Sequence, residues 1–246
     1  AVAQPHCHPR NVAANAVEHA AIVARAGAHV VVFPELSLTG YHFDAEAVPD
    51  NDDRLAPLVA ACSEHQAIAL VGAPVGFSGD RIDSGQDRHV SNGDRYASSG
   101  GRYIAMLAVD GHGATVVYRK MYLGSAEEAS FSPGAEPAVV DVNGWRIGAA
   151  ICKDTGVAAQ ADATAALGID IYAAGVLELI DDAHVQPARL QAIRQRHHVW
   201  TAIASFAGST GEGFDRAAGG SAIWTPTGEV AARVGVEPGV WATAVV

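Results

Sequence analysis

At 246 residues the chain can bury a large core, and 49% hydrophobic against 17% charged residues is the balance of a folded globular protein with no run approaching the roughly eighteen apolar residues of a membrane span. Twenty-seven acidic against 16 basic residues give a formal charge of −11, and with no Lys/Arg-rich block this argues against nucleic acid or an anionic membrane as partner. Three cysteines, Cys7, Cys62 and Cys152, show no paired spacing, which excludes a disulfide framework, fits a reducing cytoplasm and leaves room for a reactive thiol.

Ala1–Gln4 reads as a short strand, without the basic region and apolar run of a secretory signal. Asn11 is placed to cap a helix running to Ala26, with Val12, Ala16, Ala20 and Val23 on one face and Gly27 as its stop. His29–Phe33 is a continuous β-branched run, the pattern of a strand buried on both faces. A helix over Asp53–His65 and a buried strand over Ala67–Val75 follow. Ser78–Arg102, rich in Gly, Ser, Asp and Arg, reads as a loop. Strands are expected at Tyr103–Val109, Ala114–Arg119, Ala138–Val142 and Trp145–Ile151. A helix over Gly156–Leu167, a strand at Ile169–Ala173 and a helix from Pro187 to His198 come next, with Pro187 suited to a first helical position. The end is strand-rich, at Val199–Ser205, Ser221–Trp224, Glu229–Val234 and Val240–Val246. Strands interleaved with helices predict a layered α/β protein, and the surplus of strands favours two sheets over one.

Three side chains stand where such strands stop. Cys152 ends the apolar strand Arg146–Ile151. A sharp turn there presents a thiol beside free backbone N–H groups able to hold an oxyanion; the same residue also fits an inert buried cysteine. Glu35 lies just past His29–Phe33. A carboxyl held there, partly out of water, has a raised pKa and serves as base and then acid, whereas an exposed loop Glu does neither. Lys120, in Tyr118-Arg119-Lys120, is placed either to hold developing negative charge or simply to solvate a surface.

Their order and context resemble the nitrilase, or carbon–nitrogen hydrolase, superfamily. Val30–Tyr41 resembles its first signature, Tyr118-Arg119-Lys120 its second and Gly148–Asp154 its third, with 85 residues from Glu35 to Lys120 and 32 from Lys120 to Cys152. Gln4 and Asn15 match the opening strand and first helix, Phe131-Ser132-Pro133-Gly134 the Phe-x-Pro-Gly turn, Arg189–Gln195 the late helix, and Gly219–Val230 the closing hairpin. The resemblance covers essentially all of residues 1–246 as one domain, and implies a four-layer α-β-β-α sandwich of two mixed sheets flanked by helices. It implies a triad of Cys152, Glu35 and Lys120, and a second glutamate that positions Lys120 and substrate. Spacing favours Glu127 over its neighbour Glu128. No metal or organic cofactor is implied, and a homodimer in the cytoplasm is expected.

Cys152 would attack an amide carbonyl, Glu35 would move the proton, and Lys120 with the backbone N–H of Lys153 would hold the oxyanion. Tyr41, Lys153, Gly175 and Val176 are the candidate substrate-contacting positions. This chain departs from the family at Lys153, where an aromatic residue is usual, at Thr155–Ala158, at Ala174-Gly175-Val176 in place of a Pro-containing pocket wall, and before Tyr103, where the usual Tyr-Asn pair is absent. Lys153 either tunes the thiol or attracts a carboxylate-bearing substrate, or pairs with Asp154 and points away. The implied reaction is hydrolysis of a small carboxamide, with an ω-amide of a dicarboxylate as one form. The alternatives are an N-carbamoyl amidohydrolase, a nitrilase, or a non-catalytic binding protein on the same scaffold. His6-Cys7-His8 has no complementary pair at ligand spacing and reads as a turn.

Overall fold

A computed structural model describes residues 1–76, 101–211 and 213–246. In chain order its strands are β1 (Val2–Gln4), β2 (Val30–Val32), β3 (Ile68–Gly76), β4 (Arg102–Asp110), β5 (Gly113–Arg119), β6 (Val139–Val142), β7 (Trp145–Ile151), β8 (Ile171–Val176), β9 (Trp200–Ser205), the short pair β10 (Ala207–Gly208) and β11 (Ala217–Ala218), β12 (Ala222–Trp224), β13 (Val230–Arg233) and β14 (Val240–Ala242). The helices are α1 (Val12–Ala26), α2 (Ala56–His65), α3 (Ala158–Ala165) and α4 (Val185–His197). Two six-stranded sheets form, in the orders β14-β1-β2-β3-β4-β5 and β13-β12-β9-β8-β7-β6. Both are mixed. The first is parallel at β1–β2 and β2–β3, the second at β7–β8 and β8–β9, and their remaining pairings are antiparallel.

Side chains alternate across a strand, so each buried strand feeds two layers. Val31 and Phe33 join α1 and α2 in one core, while Val32 faces the opposite sheet. In β7, Ile147, Ala149 and Ile151 fill the space between the sheets, while Ala150 packs with Leu190 and Ile193 of α4. The result is the expected helix–sheet–sheet–helix stack. Among the described residues no helix is long and apolar enough to cross a membrane.

The first helix is built as its sequence predicts. Asn11 Oδ1 accepts from the Ala14 N–H at 3.0 Å, and Gly27 closes the helix in the left-handed conformation. Other boundaries differ for physical reasons. Of the expected loop, only residue 101 and Arg102 lie among the described residues, and Arg102 opens β4. Asp53–Leu55 forms a 3-10 turn ahead of α2, and Cys152–Gly156 another, which leaves α3 shorter than expected. The strand expected at Ile169–Ala173 instead runs Ile171–Val176. Asp170 spends its carboxylate on the Arg146 N–H (2.8 Å), and pairing with β7 continues to Ile151↔Gly175. Pro187 is the third residue of α4 rather than the first; the opening turn needs no intrahelical N–H, so it fits there equally. The final strand ends at Ala242, and the two-residue strands β10 and β11 are too short to leave a readable period.

Candidate active site

Glu35, Lys120 and Cys152 each follow the end of a strand, β2, the edge strand β5 and β7 respectively, and the fold brings those strand ends together. The chain leaving β2 turns at Pro34–Gly40, with Leu36 at φ 52. Leu38 N donates to Gly72 O (2.9 Å), and Gly72 N donates to Ser37 Oγ (3.1 Å). Glycines from both sheets touch this turn. A Cβ on Gly72 would lie 2.3 Å from Leu36 N, and one on Gly175 would lie 2.7 Å from Phe33 O. Glu35 is thereby held with its side chain buried.

Lys120 is fixed at both backbone groups, donating to Ile104 O (2.8 Å) and accepting from Gly134 N (2.7 Å). Its Nζ donates to Glu35 Oε1 at 2.6 Å and Glu127 Oε1 at 2.7 Å. Glu127 also accepts from Tyr41 OH (2.5 Å) and Gly124 N (2.7 Å). Of the adjacent glutamates, Glu127 is turned inward and Glu128 is exposed. Glu35 Oε2 is buried with no hydrogen-bond partner among the described residues, leaving one carboxylate oxygen for chemistry.

Cys152 opens the 3-10 turn at φ 43, a left-handed conformation that costs about 1–3 kcal/mol in a non-glycine residue and persists only where surroundings enforce it. Asp154 does much of the enforcing. Fully buried, it accepts from Ile151 N (3.0 Å), Tyr118 OH (2.8 Å) and Tyr122 N (2.9 Å), tying the nucleophile turn to the segment that carries Lys120.

The electrostatics follow from burial. Desolvation pushes the Glu35 carboxyl up to about 7, with Glu127 raising it and Lys120 opposing. Burial works against the Lys120 charge, but the surrounding carboxylates outweigh it and hold the ammonium above its ordinary pKa. Burial, then Glu35, drives the Cys152 thiol well above its usual value, and Lys120 opposes them. A resting thiol beside a base poised near neutrality, with a permanent cation alongside, is equipped for nucleophilic attack on a carbonyl carbon.

The carbon-nitrogen hydrolase family model matches residues 1–245. The chain belongs to the carbon–nitrogen hydrolase family. A hydrolase encoded in the pqqF 5′ region of Pseudomonas protegens is 26% identical over 96% of this chain and 79% of its own length. An amidase from Nesterenkonia sp. superposes with a TM-score of 0.78 at 23% identity, over 99% of this chain and 88% of that one. A variant of that amidase in complex with butyramide gives a TM-score of 0.77 at 23% identity, over 98% and 88%. These structures share the nitrilase-superfamily fold of two mixed sheets between helices.

Within this carbon–nitrogen hydrolase the remaining candidate positions fall in different places. Tyr41 reaches Glu127 and stacks edge-on against Phe43 (5.0 Å) and Phe214 (4.5 Å). Lys153 does not pair with Asp154; its ammonium donates to the Leu123 carbonyl. Gly175 presses on the Glu35 backbone, whereas Val176 faces the α4 layer with Leu190 and Ile203. Sequence reasoning missed the parts that Asp154 and Gly72 play in shaping the site. Only Asp154 carried a signal, as a carboxylate in the turn after an apolar strand.

Proposed function

We propose that this carbon–nitrogen hydrolase cleaves the C–N bond of small uncharged carboxamides through a thioester on Cys152. The observation that carries this reading is the buried Lys120 ammonium shared between Glu35 and Glu127, with the Cys152 thiol in the field of both Lys120 and Glu35. Cys152 Sγ attacks the carbonyl carbon as its proton passes to Glu35. The tetrahedral oxyanion rests on Lys120 and on the backbone N–H of Lys153. Collapse breaks the C–N bond, Glu35 returns the proton to nitrogen, and ammonia leaves. Glu35 then takes a proton from water as that water attacks the thioester; the acid departs and the thiol is restored.

The substrate class rests on two supports. Structures of the Nesterenkonia amidase hold acrylamide, butyramide and the acetamide moiety of fluoroacetamide, all short uncharged acyl groups. In this chain, Tyr41, Phe43, Phe131 and Phe214 form an aromatic cluster beside Glu127, and Lys153 is committed to a backbone carbonyl. Both favour an apolar acyl chain over an ω-amide carboxylate. Ammonia release across short aliphatic amides, a dicarboxylate ω-amide, N-carbamoyl amino acids and nitriles tests this, with the short amides expected fastest. Cys152→Ala should retain the wild-type melting curve and lose turnover to background; an unaltered rate would overturn the mechanism.

Because the base must be ionised, kcat/KM should rise with pH through an acid limb at about 7, below which Glu35 is protonated. Glu127 raises that pKa, so Glu127→Gln should move the limb to lower pH while reducing kcat. A limb in the ordinary carboxylate range in the wild type would show that burial does not raise the Glu35 carboxyl in the working enzyme.

A further inference from the structure

We infer that Gln186, its amide fixed between Glu178 and Thr155, is a positioning residue that donates an N–H to Cys152 Sγ and favours the thiolate. This rests on the proposed role of Cys152 as nucleophile. Gln186 is the second residue of α4, in the outer helical layer, yet it is 2% exposed and its side chain reaches the turn that carries Cys152. A primary amide buried to that degree is costly unless its groups are bonded, and here each atom has a partner. Nε2 donates to Glu178 Oε1 at 2.7 Å and contacts Cys152 Sγ at 3.9 Å. Oε1 accepts from Thr155 Oγ1 at 2.7 Å, and that hydroxyl shares its one proton with the Cys152 carbonyl, also at 2.7 Å.

These contacts decide which way the amide points. An ionised carboxylate only accepts, so the amide atom facing Glu178 must be nitrogen, and the oxygen this leaves on the other side accepts from the Thr155 hydroxyl. The nitrogen carries two hydrogens. One is spent on Glu178, and the second is left on the side of the sulfur. Burial and Glu35 both oppose ionisation of the thiol, and the Leu177 carbonyl, 3.4 Å from Sγ, can only accept. A neutral N–H therefore supplies a donor that strengthens as charge develops on sulfur, without adding a second cation to compete with Lys120.

On its other side Gln186 borders a cavity of about 230 Å³ that Glu178, Ser205 and Arg233 also line, so truncation to alanine would enlarge that space. Gln186→Met and Gln186→Leu remove the donor and keep the volume. The rate of Cys152 alkylation by iodoacetamide against pH, located by peptide mass, reads the thiol directly. In both variants the apparent thiol pKa should rise by about one unit, and both the alkylation rate near neutrality and kcat should fall about tenfold with KM little changed. A packing role alone would lower the melting temperature and leave the alkylation profile in place. A wild-type profile in either folded variant overturns the inference.

Should neither variant fold, the wild-type protein decides. The side-chain NH2 resonances of Gln186 should shift in step with thiolate formation, and resonances that ignore it overturn the inference as well. Cys152→Ala separates the two levels. Activity surviving in it defeats the nucleophile itself, whereas a dead Cys152→Ala beside an unperturbed Gln186→Met defeats only the positioning role.

Discussion

Lys120→Met should be inactive and should lose about 3–5 kcal/mol of stability above neutral pH, because it removes the cation that bridges two buried carboxylates. The side chains of Lys120, Glu35 and Glu127 are at most 2% exposed, so water cannot replace the ammonium. The sign of the pH dependence follows. Without Lys120, the cause that lowers the Glu35 pKa is gone, and burial together with Glu127 carries it above its present value of about 7. A folded carboxyl whose pKa exceeds the unfolded one binds protons more tightly when folded, so stability is lost as pH rises from the unfolded value through the folded one. Denaturant unfolding should show a small deficit for Lys120→Met near pH 5 that grows towards pH 8. A deficit independent of pH would mean that the variant fails through packing and that the ion triad is not the source. The expected kinetic loss is about a hundredfold or more in kcat, the scale of removing a developing-charge partner.

The candidate catalytic residues show what sequence can and cannot reveal. Glu35, Lys120 and Cys152 each stand near the end of a predicted strand, but it is their order and context, resembling three signatures of one family, that make them legible as a set. Their meeting was not legible in those strand ends alone. Lys120 follows the antiparallel edge strand β5 of the first sheet and Cys152 follows β7 of the second, and only the sheet-on-sheet stack closes the distance. The layered fold itself was readable, because β-branched runs alternating with capped helices leave few other arrangements. Gln186 was hidden for the opposite reason. It sits at the start of an outer helix, where a polar residue ordinarily faces water, and nothing local marks it as the one that turns inward. Adjacency in sequence makes Asp154 the natural partner for Lys153. The fold instead spends it on Ile151, Tyr118 and Tyr122, a set that only tertiary pairing assembles.

Gly72→Ala should cost activity at least as heavily as it costs stability, because the glycine's absent side chain is what lets the general base sit where it does. A Cβ at Gly72 would lie 2.3 Å from Leu36 N, 2.5 Å from Pro34 O and 2.9 Å from Glu35 C, all backbone atoms that cannot rotate aside. Gly175 meets the same segment from the opposite sheet, at 2.7 Å from Phe33 O and 2.9 Å from Glu35 N. The turn carrying Glu35 is therefore confined between two sheets, and relief of either clash moves it towards the other. Overpacking of this kind costs about 1–3 kcal/mol, which a chain of this size survives. Displacement of the base by about 1 Å is worth roughly a hundredfold in rate, and it stretches the 2.6 Å contact from Lys120 at the same time. Gly72→Ala and Gly175→Ala should both fold with lowered melting temperatures and kcat reduced about a hundredfold, while Cys152 still reacts with iodoacetamide. Alanine at Gly235, where a Cβ would meet nothing within 4 Å among the described residues, should change neither. Wild-type turnover in Gly72→Ala would show that the turn relaxes without moving Glu35, and the confinement between the sheets would then not be what sets the base.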